Sequence, residues 1–138
     1  RKAHLLDVRD AAEWQGLTSS PYGIDFSPRK GRILNSIWIE WYNFMEKDES
    51  NIIKVKSKEN IQDIMSVKNI NLDDEIIIYC FKGARASNTL MSLREAGYYN
   101  VKNYFASWNE WSRDFELPID DKIIEISTFQ DFGPPTRL

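Results

Sequence analysis

Apolar and polar residues alternate along the chain in short blocks that predict strands and helices in turn. Residues 75–79 form a continuous β-branched and aromatic run, which is typical of a strand covered on both faces. Shorter strand-like runs lie at residues 4–8, 37–39 and 101–105, and helical spacing is found at residues 11–14, 41–45, 57–67, 86–96 and 107–111. Asp10, Ser57 and Ser107 are the expected helix caps. This alternation predicts an α/β fold with a central, mostly parallel sheet and helices on both faces.

Residues 16–31 show no sustained period of either kind and are rich in Ser, Pro, Gly and Tyr, so they predict a long surface loop. Loops of this length inside a domain are usually functional or face a partner. The basic group Arg29, Lys30 and Arg32 at its end therefore fits the flank of a functional site, and it fits a solvated basic turn equally well.

The length of 138 residues is that of one globular domain. Periodicity weakens beyond Pro118, and residues 132–135 are typical of an extended tail or linker. We therefore divide the chain into a folded domain over residues 1–118 and a C-terminal extension or linker over residues 119–138. Because the chain opens without a methionine and enters a strand almost at once, we interpret it as a fragment of a longer protein.

The composition is that of a folded domain and argues against nucleic acid and membranes as partners. Hydrophobic residues make up 42% of the chain, enough to offset the entropy of ordering it. A net charge of -3, from 18 basic and 21 acidic side chains, gives no broad positive field for nucleic acid or an acidic membrane surface. No apolar run approaches the ~20 residues that span a bilayer, and the N-terminus lacks the apolar core of a signal peptide. We expect a soluble domain with no membrane partner, in a compartment that the sequence does not identify.

The single cysteine, Cys80, excludes a disulfide within these residues and cannot by itself form a thiolate metal site, so we predict neither a metal nor a cofactor. The single histidine, His4, lies in the first predicted strand, where a structural role is favoured. Asp7 and Arg9 at the end of that strand are expected to be structural, making hydrogen bonds and an ion pair for which Glu13 is a candidate partner. The spacing of the tryptophans favours a core position for each of them; they are Trp38, Trp41, Trp108 and Trp111.

Cys80 lies between the most apolar strand and the start of a helix, with Gly83 in the turn between them. Ligands of open α/β sheets bind at the carboxyl ends of the strands, and a helix N-terminus offers unpaired amide donors and partial positive charge. Lys82 and Arg85 add cations beside the thiol, and such an environment favours the reactive thiolate. A buried structural cysteine is the commoner fate of a free thiol, but this combination favours a reactive one.

Three stretches of the chain resemble the rhodanese family over the span from Leu5 to Pro118. Residues 5–9 resemble its opening strand motif, residues 80–85 its six-residue active loop, and residues 106–111 the closing signature of its tandem-domain sulfurtransferases. The resemblance implies a rhodanese-like fold in which Cys80 carries a sulfane sulfur as a persulfide from a small-molecule donor to a small-molecule acceptor. It assigns donor binding to the loop, namely Phe81, Lys82, Gly83, Ala84 and Arg85.

Lys82 favours thiosulfate as the donor, because it matches a lysine in the active loop of the family's thiosulfate-using members. Two departures stand beside this match. Residues 31–36 replace the family's usual Gly-His-Ile-Pro-Gly-Ala stretch, and Glu13 stands where vertebrate tandem members place a substrate-binding arginine. The family's usual first strand and helix, upstream of Leu5, are also missing here, which is compatible with a preceding rhodanese-like domain in the full-length chain.

Two other functions fit the same fold. Cysteine-dependent phosphatases and arsenate reductases also use a loop cysteine and arginine, but those phosphatases place five residues between them, whereas four separate Cys80 from Arg85. A longer loop forms a wider ring of amides, suited to a tetrahedral phosphate. The third alternative is a rhodanese-like module without catalysis that binds a partner or senses sulfide, and the intact cysteine loop argues against it.

Overall fold

The computed structural model describes residues 2–126, so the tail predicted at residues 132–135 lies outside the described part of the chain. The strands are β1 (Ala3–Asp7), β2 (Arg32–Ile33), β3 (Ile37–Trp38), β4 (Met45–Lys47), β5 (Ile53–Val55), β6 (Glu75–Tyr79), β7 (Val101–Asn103) and β8 (Ile119–Asp120). The helices are α1 (Ala11–Trp14), α2 (Lys58–Val67), α3 (Ala84–Glu95) and α4 (Ser107–Trp111), with a 3₁₀ helix at Trp41–Phe44. Among residues 2–126, no helix combines the length and the apolar character that crossing a membrane requires.

The central sheet has the strand order β3-β1-β6-β7, and all of its pairs are parallel. Its interior strands, β1 and β6, are paired over five residues, with Leu6 opposite Ile78 and Asp7 opposite Tyr79. The run at residues 75–79 is therefore a central strand, as its apolar character predicts.

Side chains of β1 and β6 alternate between two apolar clusters, one on each face of the sheet. Leu6, Ile76 and Ile78 pack with buried residues of α2 and α3. Leu5 and Tyr79 face the other way and pack with Trp108 of α4. Helices thus cover both faces of a parallel sheet, which confirms the predicted fold class.

Two small antiparallel pairs were not predicted from the sequence. Strands β4 and β5 form a hairpin, and β2 pairs with β8 so that Ile33 lies opposite Ile119. These strands of two or three residues are too short to show a period of their own. The boundary after residue 118 stays a prediction, but the first residues of the extension, Ile119 and Asp120, pair with the body of the domain.

The long loop of residues 16–31 is largely irregular, as predicted, and its basic end fastens it to the rest of the domain. The Arg29 guanidinium donates to four backbone carbonyls, including those of Trp111 at 2.9 Å and Leu117 at 3.1 Å. Arg32 donates to the carbonyls of Trp14 and Lys122, each at 2.6 Å. These two arginines are therefore structural ties rather than a solvated turn.

His4 also has a structural partner, which confirms its predicted role. Its Nε2 lies 2.8 Å from the buried carboxylate of Asp74, which also accepts hydrogen bonds from the backbone N–H groups of Asn71 at 2.9 Å and Lys2 at 3.0 Å. Hydrogen bonds from Asn71, Lys2 and His4, in that order of size, hold the pKa of Asp74 well below its usual range.

We expect Asp74→Asn to destabilise the domain at pH 7 and to matter less in acid. Because the pKa of Asp74 is lower in the folded state, its stabilisation is complete above the unfolded value of about 3.9 and is lost as the pH falls from there towards the folded value. Urea unfolding at several pH values between 7 and 3 should show that the difference in free energy of unfolding between wild type and variant becomes smaller in acid. Asp73→Asn is the control, since Asp73 is exposed. A gap that stays constant with pH would contradict the assignment.

Candidate active site

The loop after β6 places the predicted site residues together at the carboxyl edge of the central sheet. Cys80 follows the last residue of β6, and α3 begins at Ala84, two residues before the start predicted at residue 86. Gly83 precedes the helix with a φ of 94°, in the left-handed region that favours glycine. This sharp turn brings the first turn of α3 back over the cysteine.

The Cys80 sulfur lies against this turn. The backbone N–H of Gly83 donates to Sγ over 3.1 Å. The first amides of an α-helix have no partner within the helix, and the N-terminus carries partial positive charge. Sγ therefore lies in an electropositive setting formed by the backbone itself, which suits a thiolate or a persulfide anion.

The first residues of α4 fix the backbone of the cysteine. The N–H of Cys80 donates to Ser107 Oγ over 3.0 Å, and the N–H of Trp108 donates to the Cys80 carbonyl over 3.0 Å. The prediction that Ser107 caps α4 is wrong, because α4 has Ala106 as its cap residue and no side-chain cap bond. The hydroxyl of Ser107 is instead occupied between the Cys80 N–H and the Tyr104 carbonyl.

Arg85 does not present a free charge to the sulfur. Its guanidinium donates to both carboxylate oxygens of Glu13, over 2.7 Å and 3.0 Å, and to Asp10 over 3.2 Å. Burial opposes the charge of Arg85, but hydrogen bonds and the charge of Glu13 raise the pKa of Arg85 above its usual value. One cation is thus shared by two carboxylates. The sequence predicts that Lys82 and Arg85 both add positive charge beside the thiol. In the structure, Lys82 is the residue that supplies this charge on the exposed side of the loop.

The remaining loop residues divide between anchoring and exposure. Phe81 is buried, 2% exposed, in the apolar cluster that contains Trp108. Lys82 and Ala84 are exposed. Among residues 2–126, Lys82 forms no ion pair with a carboxylate, and its Nζ lies 4.6 Å from the centre of the Tyr22 ring. The loop therefore has one side fixed in the core and one cationic side open to solvent.

These residues border a cavity of about 280 Å³ beside the sulfur. Its walls are Asp10, Pro21, Tyr22, Trp41, Tyr42, Cys80, Phe81, Lys82, Ala84 and Arg85. Five of the six predicted loop residues line it, and Gly83 contributes its amide to the sulfur. Cys80 itself is only 1% exposed, so a reactant reaches it through this cavity.

Sequence reasoning missed five of the residues that border this cavity, namely Asp10, Pro21, Tyr22, Trp41 and Tyr42. Asp10 occupies the predicted cap position of α1, but its side chain makes no cap hydrogen bond and instead pairs with Arg85. Trp41 packs partly on the core, yet it also lines the cavity beside Tyr42. Asp10 follows β1, the neighbour of β6, and the rule that parallel strands end at one edge could have found it. Tyr22 lies in the aperiodic loop, where no pattern indicates a position.

Comparison with known proteins gives a family and several relatives. The family described as "Rhodanese-like domain" matches residues 1–114. A protein of Mycobacterium leprae named "Putative thiosulfate sulfurtransferase" is 34% identical over 120 residues, which are 85% of this chain and 42% of that protein. "Sulfur carrier protein TtuD" of Thermus thermophilus is 33% identical over 121 residues, 86% of this chain and 41% of that protein. The chain thus spans about two fifths of the length of these relatives.

Solved structures show the same fold in a larger protein. EanB in complex with ergothioneine covalently linked to a persulfide cysteine superposes with a TM-score of 0.74 at 25% identity, over 88% of this chain and 29% of that one. The anaerobic ergothioneine biosynthesis enzyme from Chlorobium limicola, bound to trimethyl histidine, gives a TM-score of 0.75 at 24% identity. The match covers 90% of this chain and 29% of that one. The second likeness bears on the fold alone. From the family match over residues 1–114 and the parallel sheet that ends in the cysteine loop, we conclude that this chain belongs to the rhodanese-like domain family.

Proposed function

We propose that this domain is a sulfurtransferase that moves a sulfane sulfur from thiosulfate, or a related donor, to a thiophilic acceptor such as cyanide or a thiol, through a persulfide on Cys80. The observation that carries the proposal is the contact of the Cys80 sulfur with the Gly83 amide at the N-terminus of α3, beside a cavity with a cationic wall. The names of the relatives support a thiosulfate-using enzyme, and the persulfide cysteine of EanB supports the intermediate.

The proposed reaction has two displacement steps at sulfur. The Cys80 thiolate attacks the outer sulfur of thiosulfate, a new S–S bond forms, and the S–S bond of thiosulfate breaks as sulfite leaves with the electron pair. The persulfide keeps one negative charge. The acceptor, for example cyanide, then attacks the terminal sulfur, and the Cys80 thiolate leaves, so that thiocyanate is released and the enzyme is regenerated without an external oxidant or reductant.

Each loop residue has a part in this proposal. Cys80 is the catalytic nucleophile, and the backbone N–H of Gly83 at the helix start stabilises the anionic sulfur. Lys82 attracts the dianionic donor. Arg85 fixes the first turn of α3 against α1 through Glu13, and its charge is offset by the carboxylates of Glu13 and Asp10. Phe81 anchors the loop in the core.

The phosphatase alternative is less well supported by the geometry. The loop has four residues between Cys80 and Arg85, and the guanidinium that would bind a phosphoryl group is occupied by two carboxylates. Asp10 is a carboxylate that borders the cavity, but it is paired with that same guanidinium and so is poorly placed to act as a general acid. A preceding rhodanese-like domain in the full-length protein stays a prediction.

Mass spectrometry of the purified chain after incubation with thiosulfate tests the proposal directly. We expect a gain of one sulfur atom at Cys80 and its loss when cyanide is added, with one equivalent of thiocyanate formed. Sulfate is the matched control, because it is a dianion of similar size without a sulfane sulfur. Absence of the sulfur gain, or turnover of an aryl phosphate that exceeds sulfur transfer, would overturn the proposal.

Gly83→Ala should slow sulfur loading and also reduce stability. The left-handed conformation costs a residue with a Cβ about 1–2 kcal/mol. That Cβ would also lie 2.9 Å from the Phe105 carbonyl oxygen, so the backbone must shift, and we expect the Gly83 amide to move relative to the sulfur. A displacement of this kind is expected to lower the loading rate by about ten- to a hundredfold.

Gly97→Ala is the matched control for Gly83→Ala. Gly97 also has a positive φ, of 100°, but the nearest atom to a Cβ there would be a leucine side-chain carbon at 3.4 Å, and all the neighbours lie away from the cysteine loop. It should lose a comparable conformational free energy and retain the loading rate, measured by quenched-flow mass spectrometry. Equal loading rates for the two variants would show that the Gly83 turn has no special role.

A further inference from the structure

The contact between Lys82 and Tyr22 gives the long loop of residues 16–31 a part in donor recognition. We infer that Tyr22 is a positioning residue, which holds the Lys82 ammonium at the wall of the Cys80 cavity and thereby sets the affinity for a dianionic sulfur donor. This inference rests on the proposed function and assigns a specificity role to a residue outside the cysteine loop.

The charges around the sulfur make Lys82 the decisive cation of the cavity wall. Arg85 is paired with Glu13 and Asp10, so its charge is more than balanced by the two carboxylates. The charge that can attract an anion then depends on where the flexible Lys82 side chain lies. A lysine has four rotatable side-chain bonds, and an exposed one has no fixed position unless a neighbour provides it.

The Tyr22 ring provides that position without neutralising the charge. The ammonium lies 4.6 Å from the ring centre, within the ~6 Å range of a cation–π contact. A carboxylate at the same place would compete with the donor for the ammonium, whereas the ring leaves the formal positive charge uncompensated. Both side chains border the cavity, so the contact holds the cation where the donor enters.

The long loop holds Tyr22 firmly enough for this role. The N–H of Tyr22 donates to Ser20 Oγ over 3.0 Å, and that hydroxyl lies 3.2 Å from the Gly23 carbonyl, to which it donates. Ser19 and Ser20 are both buried, and Ser19 Oγ accepts from the N–H of Ser27 over 3.0 Å. Hydroxyl groups thus brace the turn that carries the ring, although no regular strand or helix is present there.

Phe26 provides a matched control for Tyr22 in the same loop. Both rings are 54% exposed, and both make edge contacts with Phe81, at 5.7 Å for Tyr22 and 5.8 Å for Phe26. The cation contact belongs to Tyr22. Replacing either residue by leucine therefore removes a similar aromatic contact, and one of the two replacements also removes the ring beneath the ammonium.

The first measurement does not depend on activity. In the wild type, ring current from Tyr22 should move the ε-methylene protons of Lys82 upfield in the NMR spectrum, and Lys82→Arg identifies the resonance. The shift should disappear in Tyr22→Leu and persist in Tyr22→Phe and Phe26→Leu. An unshifted resonance in the wild type would overturn the inference, whatever the protein does with thiosulfate.

The second measurement is the rate of sulfur loading on Cys80 as a function of thiosulfate concentration. We expect Tyr22→Leu to lower the second-order rate constant about two- to fivefold at low salt, with an unchanged rate at saturation and a smaller loss at high salt. Tyr22→Phe and Phe26→Leu should match the wild type. In a Lys82→Ala background, Tyr22→Leu should have no further effect.

The outcomes separate the two proposals. Suppose that the wild type accepts sulfur from thiosulfate. If Tyr22→Leu then has the same loading rate as Phe26→Leu, or if Tyr22→Leu still lowers the loading rate in the Lys82→Ala background, the inference is overturned and the proposed function stands. If the wild type shows the ring-current shift but takes no sulfur from thiosulfate, the proposed function fails, and the role of Tyr22 in donor binding fails with it.

Discussion

Cys80→Ser should abolish sulfur loading from thiosulfate and the formation of thiocyanate, lowering the rate by about a thousandfold or more. The hydroxyl is not ionised near neutral pH and cannot form the S–S bond on which the proposed reaction depends. We expect the fold to be retained, because the change replaces only the sulfur atom, by an oxygen atom in nearly the same position. Serine Oγ can still meet the Gly83 amide that now contacts Sγ.

Two controls accompany this variant. Thermal unfolding should show a stability change of no more than about 1–2 kcal/mol, the usual cost of a buried hydroxyl with a partner. Cys80→Ala should be equally inactive although it removes the polar atom altogether. Since Cys80 is the only cysteine of the chain, sulfur transfer that survives in either variant would place the chemistry on a different residue type and refute the persulfide.

Asp7→Asn is expected to give the largest loss of stability, about 3–5 kcal/mol in the free energy of unfolding. Asp7 and Arg9 form an ion pair at 2.7 Å, and both side chains are 0% exposed. Burial opposes the charge of Arg9, but Asp7 keeps the pKa of Arg9 above its usual value, so the guanidinium stays charged in the folded protein. Removing the carboxylate leaves this buried cation without its counter-charge.

The exposed pair between Lys102 and Glu75 is the control for Asp7→Asn. Its distance of 2.6 Å is as short as that of the buried pair, but Lys102 is 63% exposed. Lys102→Gln should therefore change the free energy of unfolding by less than about 1 kcal/mol, as measured in urea. The double change Asp7→Asn with Arg9→Met should recover part of the loss by removing the buried charge. If Asp7→Asn costs no more than Lys102→Gln, the buried pair is not the source of stability.

Several features of the site follow from local sequence alone. Three consecutive isoleucines followed by a tyrosine are typical of the middle of a parallel sheet, so the strand Glu75–Tyr79 and the cysteine after it were predictable. The glycine and the helical spacing after it placed a helix start beside the thiol, and the structure has that start within two residues of its predicted place. The structural role of Asp7 and Arg9 was predictable, but the two pair with each other, and Glu13, the expected partner, pairs with Arg85 instead.

Tertiary structure decided the electrostatics of the site. Arg85 meets Glu13 across 72 residues of chain, Lys82 meets the ring of Tyr22 from a loop without periodicity, and Ser107 binds the backbone of Cys80 from 27 residues away. Hydrophobic periodicity indicates which side of a helix or strand is buried. It carries no information about which polar side chain of another element lies across a cavity from it. The two loop cations look alike in the sequence, and only the packing of α1 and the long loop against the cysteine turn pairs one with carboxylates and the other with an aromatic ring.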